Sequence, residues 1–529
     1  MRTKIDGRAA LSVAVIVCAS LLVVACGGST TAGCALRTSA SAGAATAPAT
    51  AGASGSWSYP NADLANTRDA SGSTISSANV SGLTQAWTFK LTGTAAAGIR
   101  PYGSLSAAPV VHDGVVYIQD LDSNVYALAL ATGKLEWEYQ CNEPERSGPG
   151  PNGVAVGGGR VYGLSPTAAF ALSATTGKTI WVNSHLLTAG QGTFGIQPQV
   201  AEGRVYVASQ YGSGPGGGVL IALNASNGAV LWKFNTVIGV DQGARSLGLG
   251  SGGAWETPLV GSDGSVTYGI GNPYQTPASA IAHPAADLYT DSDVNLDAAT
   301  GKLRWYYQGV PDDFKDYDMQ TSPISANADG VPVVIGSGKM GDVYEMNART
   351  GKLIWKTPVG GHNGHDDDSL QALEHKSRLK PPLTILPGSL GGVLTNLALA
   401  DDTLYVVTCD LPLTFPTFSL PTATKAAGRP TGEVEALNLV TGKVKWDTKV
   451  PELPLGAATV SNDLVFTTLY DGVLIALDRS TGAIVYRRQL PASTNAPIAI
   501  AGNTVIVPAG ASATSTRRGD PQMVAFTAR

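Results

Sequence analysis

The chain has 529 residues, of which 64 are glycine, 43% are hydrophobic and only 14% are charged, so a mostly disordered chain is excluded. The net charge of −5 and the lack of a lysine or arginine cluster argue against a nucleic-acid partner. The length requires several domains or one large repeat architecture. Abundant glycine, threonine, valine and tyrosine favour strands and turns, so we expect an all-β extracytoplasmic protein.

The first 25 residues have the pattern of a bacterial signal peptide. A basic start precedes an apolar run over residues 9–25 that ends in small residues, and Cys26 follows at once. This pattern resembles the lipobox of bacterial lipoproteins, in which the cysteine is acylated after cleavage. A short transmembrane anchor is the alternative, although the run is below the roughly 20 residues that a span needs. We predict a signal peptide over residues 1–25, lipidation of Cys26, and an extracytoplasmic location with a lipid anchor in a cell membrane.

Residues 26–56 are the lipidated cysteine followed by a stretch rich in glycine, serine, threonine and alanine, which predicts a flexible tether. Only Cys141 and Cys409 fall in the predicted folded part, 57–529, and two cysteines argue against a disulfide framework. The sequence has no CxxC or CxxCH motif, which argues against covalent haem and a structural zinc site.

From residue 57 onward, one pattern recurs seven times: an apolar strand, a turn ending in glycine, and a strand with an aromatic residue four positions after that glycine. The glycine suits a turn with positive φ, and we predict that the aromatic side chain packs between neighbouring repeats. The seven pairs are Gly133–Trp137, Gly177–Trp181, Gly228–Trp232, Gly301–Trp305, Gly351–Trp355, Gly442–Trp446 and Gly482–Tyr486. A further strand pair precedes most of them, and four strands per repeat are typical of a propeller blade.

The two ends of the folded part complement each other. Residues 496–529 supply three strands and then stop, whereas a single strand around Trp87 precedes the first full repeat. Pairing them closes the ring and leaves no open sheet edge. We therefore predict an all-β, eight-bladed β-propeller of four-stranded antiparallel blades over 57–529, with the ring closed by the N- and C-terminal strands.

Trp255 is not explained by the repeat. It follows a glycine-rich stretch at the start of a predicted first strand, which faces the central channel of a propeller. Long insertions at 271–292, 361–390 and 411–430 predict loops on one face. We interpret the histidines and aspartates at 362–368 as a polar, solvated insertion rather than a metal site, because nothing in the sequence fixes a ligand geometry.

Several segments resemble the quinoprotein alcohol dehydrogenases, which are eight-bladed propellers that bind pyrroloquinoline quinone (PQQ). The resemblance rests on WSYPNADLANTRDASGSTISSANVSGLTQAWTFKLTG at 57–93, on GNP at 271–273 followed by DLYTDSDVNLDAATGKLRWYYQGVPDDFKDYD at 287–318, and on GSGKMGDVYEMNARTGKLIWKTPVG at 336–360. The segment LPGSLGGVLTNLALADDTLYVV at 386–407 resembles the polyvinyl-alcohol dehydrogenase branch. The resemblance implies binding of PQQ with Ca²⁺ or a lanthanide, oxidation of an alcohol substrate, and electron transfer to an external acceptor.

The resemblance also implies roles for individual residues. Trp255 would stack on the quinone rings, Asn272 would be a metal ligand, and Lys339 would hydrogen-bond a quinone carbonyl. Asp287 is the carboxylate nearest to the position of the family's catalytic base, and it is our candidate for that base. The segment PDDFKDYD at 311–318 also fits the family, and we expect its carboxylates to tie a corner of the chain by hydrogen bonds.

Four positions depart from the family's pattern. Ser213 stands where a calcium-binding glutamate is expected, and Ala286 stands where the catalytic aspartate is expected. A lone Cys141 replaces an adjacent cysteine pair, and Asn152 replaces an arginine that pairs with the quinone carboxylates. The alternative is therefore a non-catalytic lipoprotein, a scaffold that binds a protein or cell-envelope partner and is similar to the outer-membrane assembly factor. A contiguous apolar patch on one loop face would favour that alternative.

Overall fold

The computed structural model describes residues 55–91, 105–143, 152–210, 217–237, 252–283, 287–369, 379–420, 422–510 and 520–528. The predicted signal peptide, Cys26, nearly all of the predicted tether, Ser213 and Ala286 lie outside these ranges. Within them, no helix combines the length and apolar character needed to cross a bilayer.

The described chain is built almost entirely of strands. After a 3-10 turn at Val80–Gly82, the first strands are β1 (Thr84–Lys90), β2 (Val110–His112), β3 (Val115–Gln119), β4 (Val125–Ala129), β5 (Leu135–Tyr139), β6 (Ala155–Gly157), β7 (Arg160–Leu164), β8 (Ala169–Ser173), β9 (Thr179–Asn183), β10 (Gln199–Ala201), β11 (Arg204–Ala208), β12 (Val219–Asn224) and β13 (Val230–Asn235). They are followed by β14 (Leu259–Val260), β15 (Ser265–Gly269), the short helix α1 (Pro277–Ala282), β16 (Ser292–Asp297), β17 (Leu303–Gln308), β18 (Ile324–Ala328), β19 (Val331–Ser337), β20 (Asp342–Asn347) and β21 (Leu353–Pro358). The last group comprises β22 (Leu383–Ile385), β23 (Ala398–Ala400), β24 (Thr403–Asp410), β25 (Leu413–Phe415), β26 (Lys425–Ala426), β27 (Thr431–Asn438), β28 (Val444–Val450), β29 (Thr459–Ser461), β30 (Leu464–Thr468), β31 (Val473–Asp478), β32 (Ile484–Gln489), β33 (Ala499–Ala501), β34 (Thr504–Ala509) and β35 (Gln522–Thr527).

These strands form eight four-stranded antiparallel sheets and one small three-stranded sheet, β22-β25-β26. Seven of the four-stranded sheets run in chain order, from β2-β3-β4-β5 to β29-β30-β31-β32, and one of them skips the small sheet as β23-β24-β27-β28. The remaining sheet joins the chain ends in the order β1-β35-β34-β33, with Thr84 opposite Thr527. The prediction that the N- and C-terminal strands share a sheet is confirmed.

The first strands of most neighbouring sheets contact one another. Strand β2 contacts β6, β6 contacts β10, and β10 contacts β14; farther along, β23 contacts β29, β29 contacts β33, and β33 returns to β2. Such a succession of inner strands, with the last sheet meeting the first, is typical of a propeller. The nearly all-β, propeller-like architecture is confirmed.

The tryptophans of the repeat pack from one sheet onto the turn glycine of the next. The indole of Trp305 donates to the carbonyl of Ala348 at 2.8 Å, and a Cβ on Gly351 would lie 2.6 Å from the Trp305 ring. The same relation holds for Trp87–Gly133, Trp137–Gly177, Trp181–Gly228, Trp232–Gly301, Trp355–Gly442 and Trp446–Gly482. Because these glycines also have positive φ, both the turn and the close approach require the absence of a side chain. The predicted packing between repeats is confirmed.

The N-terminal segment 57–74 runs along the first strands of several sheets. Its backbone bonds to Val111 of β2, Ser325 of β18, Leu399 of β23 and Val460 of β29. These strands belong to different parts of the ring, so the segment bridges it from one side to the other.

Candidate functional site

Lys339 lies buried between two carboxylates at the end of β19. Its ammonium nitrogen lies 3.1 Å from Asp316 Oδ1 and 2.5 Å from Asp318 Oδ2. The backbone fixes this arrangement, since the Lys339 N–H donates to the Asp318 carbonyl at 3.0 Å. Only 8% of Lys339 is exposed, so the ammonium faces these carboxylates rather than bulk solvent.

Asn272 reaches the same two carboxylates from the turn after β15. Its backbone N–H donates to Asp318 Oδ1 at 2.8 Å, and its side-chain amide donates to Asp316 Oδ1. Its Oδ1 accepts from the Tyr274 N–H at 2.7 Å, which orients the amide. Asn272 and Lys339 follow strands of two different sheets, and the pair of aspartates joins them.

Trp255 lies beside this group. A Cβ on Gly271 would be 2.6 Å from the indole ring and 2.7 Å from Asp318 Oδ1. Glycine at position 271 therefore allows the ring and the carboxylate to approach the same stretch of backbone. Trp255 is half-buried, so part of its indole remains accessible.

Asp287 is buried at the margin of the site. Its Oδ2 accepts from Gln275 Nε2 at 3.3 Å, and the same amide donates to Asp312 Oδ1 at 2.9 Å. Gln275 thus connects Asp287 to the 311–318 segment that carries Asp316 and Asp318. With φ at 50°, Asp287 has a left-handed backbone conformation that aspartate tolerates better than most residues do.

The site contains more acidic than basic groups. Four buried aspartates, at 291, 313, 316 and 318, interact with one another, whereas the buried ammoniums are Lys315 and Lys339. Burial and then repulsion by neighbouring aspartates raise the pKa of Asp291 well above its usual value, and neither of its buried oxygens has a hydrogen-bond partner. Burial also raises the pKa of Asp316, against the opposing effect of Lys339. The cluster can therefore accept a proton or a cation.

The segment 311–318 has a larger role than the sequence analysis assigned. Asp313 does tie a corner, since its oxygens accept from the backbone N–H groups of Lys315 at 2.9 Å and Tyr317 at 2.8 Å. Asp316 and Asp318, however, face Lys339 and Asn272, which the sequence analysis did not anticipate. The only available signal was that all three segments lay in stretches resembling the same family.

The insertion at 361–390 differs from the solvated loop that we expected. The ammonium of buried Lys315 donates to the carbonyls of His365 and Asp366 at 2.6 and 2.8 Å. His365 Nδ1 lies 3.0 Å from Asp368 Oδ2, and Asp368 is buried. The expectation of a solvated stretch at 362–368 therefore fails for Asp368 and holds for the exposed Asn363 and Asp367, while Lys315 fixes the backbone between them against the site segment.

Cys141 is disulfide-bonded, whereas Cys409 is a free, buried thiol. The partner of Cys141 therefore lies outside the described residues. Cys141 has no adjacent cysteine, since Asn142 follows it, and this disulfide was not foreseen from the sequence. A cross-link to a distant cysteine leaves no local spacing from which it could be recognised.

Asn152 carries a buried side-chain amide just before β6. It is 1% exposed, and neither its side-chain nitrogen nor its oxygen has a hydrogen-bond partner. It precedes first strand β6 by three residues, much as Trp255 precedes first strand β14 by four. Both residues therefore enter the ring at the start of an inner strand. A buried amide without partners is costly unless a ligand or water satisfies it.

Two family models match the chain. The model of the glucose/ethanol/alcohol dehydrogenase β-propeller domain, named PQQ, matches residues 57–157 and 196–359. The model described as outer membrane protein assembly factor BamB matches residues 430–529.

Characterised relatives resemble the chain at low identity. It is 29% identical over 348 residues to the quinohemoprotein alcohol dehydrogenase ADH IIB of Pseudomonas putida, an alignment that covers 58% of this chain and 48% of that protein. It is 27% identical over 472 residues to the quinoprotein alcohol dehydrogenase PedH of Pseudomonas putida, which covers 78% of each. The chain thus spans about half the length of the first of these relatives.

Solved structures share the fold. The quinohemoprotein alcohol dehydrogenase of Comamonas testosteroni superposes with a TM-score of 0.75 at 23% identity, covering 90% of this chain and 81% of that one. A europium-containing methanol dehydrogenase gives a TM-score of 0.71 at 19% identity, covering 89% and 98%. BamB of Moraxella catarrhalis gives 0.50 at 14% identity, covering 84% and 99%.

Proposed function

We propose, on the premise that this chain belongs to the glucose/ethanol/alcohol dehydrogenase β-propeller family, that it is an extracytoplasmic lipoprotein that binds PQQ and a metal ion and oxidises an alcohol. The proposal is carried by the convergence of Trp255, Asn272 and Lys339 on the carboxylates of Asp316 and Asp318. Packing between repeats requires none of these side chains at these positions.

The described residues fit a flat, anionic quinone. The half-buried indole of Trp255 offers a surface on which fused rings can stack. Lys339 would donate a hydrogen bond to a quinone carbonyl, since its ammonium has three donors. The unpartnered amide of Asn152 would donate to a quinone carboxylate and would thus satisfy a buried group that otherwise lacks a partner.

The donor set also fits a hard cation. Ca²⁺ and the lanthanides take oxygen ligands, and carboxylates supply most of the affinity. Asn272 Oδ1 would be one ligand, and the surplus negative charge of the aspartate cluster would balance the ion. The two buried oxygens of Asp291, which have no hydrogen-bond partner, support this fit because a cation would occupy them.

Asp287 would act on the substrate. When bound, the quinone supplies a two-electron acceptor and the metal a Lewis acid. Asp287 would accept the proton of the alcohol hydroxyl, and Gln275, donating to its Oδ2, would hold that carboxylate in position. Electrons would then leave to an external acceptor. Asp287 directly follows Ala286, which stands at the place of the family's base, so a shift of the loop by one residue would bring the Asp287 carboxylate there.

A scaffold that binds a protein or cell-envelope partner is the second candidate function, and the BamB match over 430–529 favours it. Such a scaffold should present a contiguous apolar patch on one loop face. In the described part of the chain, the exposed large apolar side chains lie mostly on the fourth strands of different sheets, for example Ile180, Leu231, Ile354 and Val485. Their distribution around the outside of the ring favours the dehydrogenase.

Titration with PQQ tests the proposal. The detergent-solubilised full chain is titrated with PQQ in the presence of Ca²⁺, a lanthanide or a chelator, and tryptophan fluorescence is recorded. We expect metal-dependent quenching that Trp255→Ala and Lys339→Ala abolish, whereas Lys352→Ala, at an exposed turn lysine, keeps it. If wild-type protein binds no PQQ with either metal, the dehydrogenase proposal is wrong and the scaffold becomes the better candidate.

The lipid anchor requires a separate test. Wild-type chain should take up a fatty-acid label and fractionate with membranes, whereas Cys26→Ser should do neither. Cys18→Ser is the matched control, because that cysteine lies inside the predicted signal peptide. Labelling of Cys26→Ser would contradict the proposed modification.

A further inference from the structure

A second group of acidic residues lies far along the chain from the quinone site, on the outer strands β27 and β28. Glu433, Glu435 and Asp447 form what we call the outer acid cluster, in which one oxygen of each carboxylate lies within 4.8 Å of those of the other two. Glu435 stands opposite Asp447 in the strand register, so the three side chains share one face of the sheet. The side chains of Glu433 and Glu435 are buried, and that of Asp447 is 34% exposed.

Lys449 pairs with two of these three carboxylates. Lys449 Nζ lies 3.0 Å from Asp447 Oδ2 and also contacts Glu433. The lysine side chain is 67% exposed, so it covers the cluster from the solvent side and can swing away without disturbing the core. One ammonium cannot neutralise three ionised carboxylates, so the cluster can take a more highly charged cation than Lys449.

A buried hydroxyl provides an independent sign of a ligand. Thr408 is fully buried, and its Oγ1 has no hydrogen-bond partner. Thr408 stands opposite Glu433 in the register of β24 and β27. A Cβ on Gly360 would lie 3.2 Å from this hydroxyl, and the Gly360 N–H donates to Glu435 Oε1 at 2.6 Å. Because directly paired residues of neighbouring strands project to the same face, the unused oxygen lies on the side of the sheet that carries Glu433.

We propose that the outer acid cluster binds a divalent cation of the Ca²⁺ class, with Lys449 as the group that the ion displaces. Three carboxylates can supply up to about six oxygens, Thr408 adds a hydroxyl, and water can complete the six to eight ligands that Ca²⁺ takes. Full ionisation leaves three negative charges against one ammonium, and replacing the ammonium by a divalent ion balances the cluster better. The ion would hold β27 and β28 to Gly360, which follows β21 of the preceding sheet. This site is distinct from the proposed quinone site and does not depend on it.

Calcium titration calorimetry of the chelator-treated full chain tests the proposal. The experiment uses the Asn272→Ala background, which removes the amide ligand of the quinone site. We expect one residual site with a Kd of roughly 10⁻⁴–10⁻³ M, the range of extracellular modules. Adding Glu435→Gln should weaken binding at least about tenfold, because a buried ligand loses its charge. In the otherwise wild-type chain, Glu435→Gln should remove one Ca²⁺ per chain, which keeps the test valid if Asn272→Ala does not fold.

Lysine substitution separates a cation site from an ion-pair cluster. With Lys449→Met, Ca²⁺ should bind at least about tenfold more tightly, because the ion no longer displaces an ammonium. The matched control is Lys445→Met on the same strand, whose ammonium donates to Thr403 instead and which should leave Ca²⁺ binding unchanged. If Lys449→Met lowers the melting temperature, Ca²⁺ fails to restore it and calorimetry shows no binding, the cluster holds only its lysine and the proposal is wrong.

Discussion

Replacing Lys339 by methionine tests the electrostatics of the proposed quinone site in the absence of any ligand. The substitution keeps most of the side-chain volume and removes the ammonium that lies 3.1 Å from Asp316 and 2.5 Å from Asp318. Removing one partner of a buried ion pair costs about 3–5 kcal/mol, because the other charge stays buried without compensation. We therefore expect Lys339→Met to lower the free energy of unfolding by about that amount at neutral pH.

The pH dependence of this loss identifies its cause. Burial raises the pKa of Asp316 in the folded protein, and Lys339 opposes the rise. A carboxyl group whose folded pKa is raised contributes stability below its unfolded pKa of about 3.9 and loses that contribution as pH rises through the folded value. Without Lys339 the folded pKa rises further. The difference between wild type and variant should therefore be small near pH 4 and should grow towards pH 8.

Denaturant unfolding of both proteins across this pH range, followed by circular dichroism, measures the difference. The control is Lys90→Met, which removes an ammonium 2.9 Å from Asp520 in an ion pair whose side chains are 70% and 73% exposed. An ion pair of that kind contributes about 0–1 kcal/mol, so the control should remain close to wild type. Equal losses for the two lysines, or a loss for Lys339→Met that does not change with pH, would refute the interpretation of Lys339 as the counter-charge of a buried carboxylate pair.

Three further predictions concern the ring, the proposed base and the disulfide. Gly351→Ala should destabilise the protein by about 2–5 kcal/mol in denaturant unfolding, because of left-handed backbone strain and a clash with the Trp305 ring. The control is Gly330→Ala, which should cost only the backbone strain because no atom lies within 4 Å of its Cβ. Equal losses of stability for the two variants would contradict the role of the ring contact. Asp287→Asn should lower dye-coupled alcohol oxidation by about 10²–10⁴-fold with PQQ binding unchanged, and a variant with wild-type rate would exclude Asp287 as the base. A reductant should lower the melting temperature of wild type but not that of Cys141→Ser, and an equal response of the two would argue against a stabilising disulfide.

The repeat and the closure of the ring were predictable because they are local patterns. A turn glycine followed after four positions by an aromatic residue defines each strand pair, and the unpaired strand around Trp87 indicates where the chain ends meet. The resemblance placed Trp255, Asn272 and Lys339 on separate stretches, and the structure brings them to Asp316 and Asp318. That convergence depends on how sheets follow one another around the ring, which no single stretch encodes.

The features that were not foreseen from the sequence all depend on contacts between residues that are far apart in the chain or that only the pairing of strands brings together. The outer acid cluster requires the pairing of β27 with β28, and Glu433 and Glu435 read in sequence as ordinary alternation along a strand. The position of the His365 backbone in the insertion at 361–390 depends on a hydrogen bond from Lys315, which lies about 50 residues earlier in the chain. The disulfide of Cys141 joins it to a residue outside the described part of the chain.

Buried negative charge bears on the choice between dehydrogenase and scaffold. At the entry to β16, Asp291 keeps two buried oxygens without partners, and burial raises its pKa well above the usual value. A buried carboxylate without compensation is costly, and a propeller with a purely structural role gains nothing from it. The same holds for the amide of Asn152, since a hydrophobic residue at either position would avoid the cost. By the resemblance, Ser213 and Ala286 stand in place of two carboxylates, but these buried polar groups remain, and a bound quinone and cation would satisfy them. The persistence of buried polar groups without partners therefore favours a site that still binds its ligand over one that has lost it.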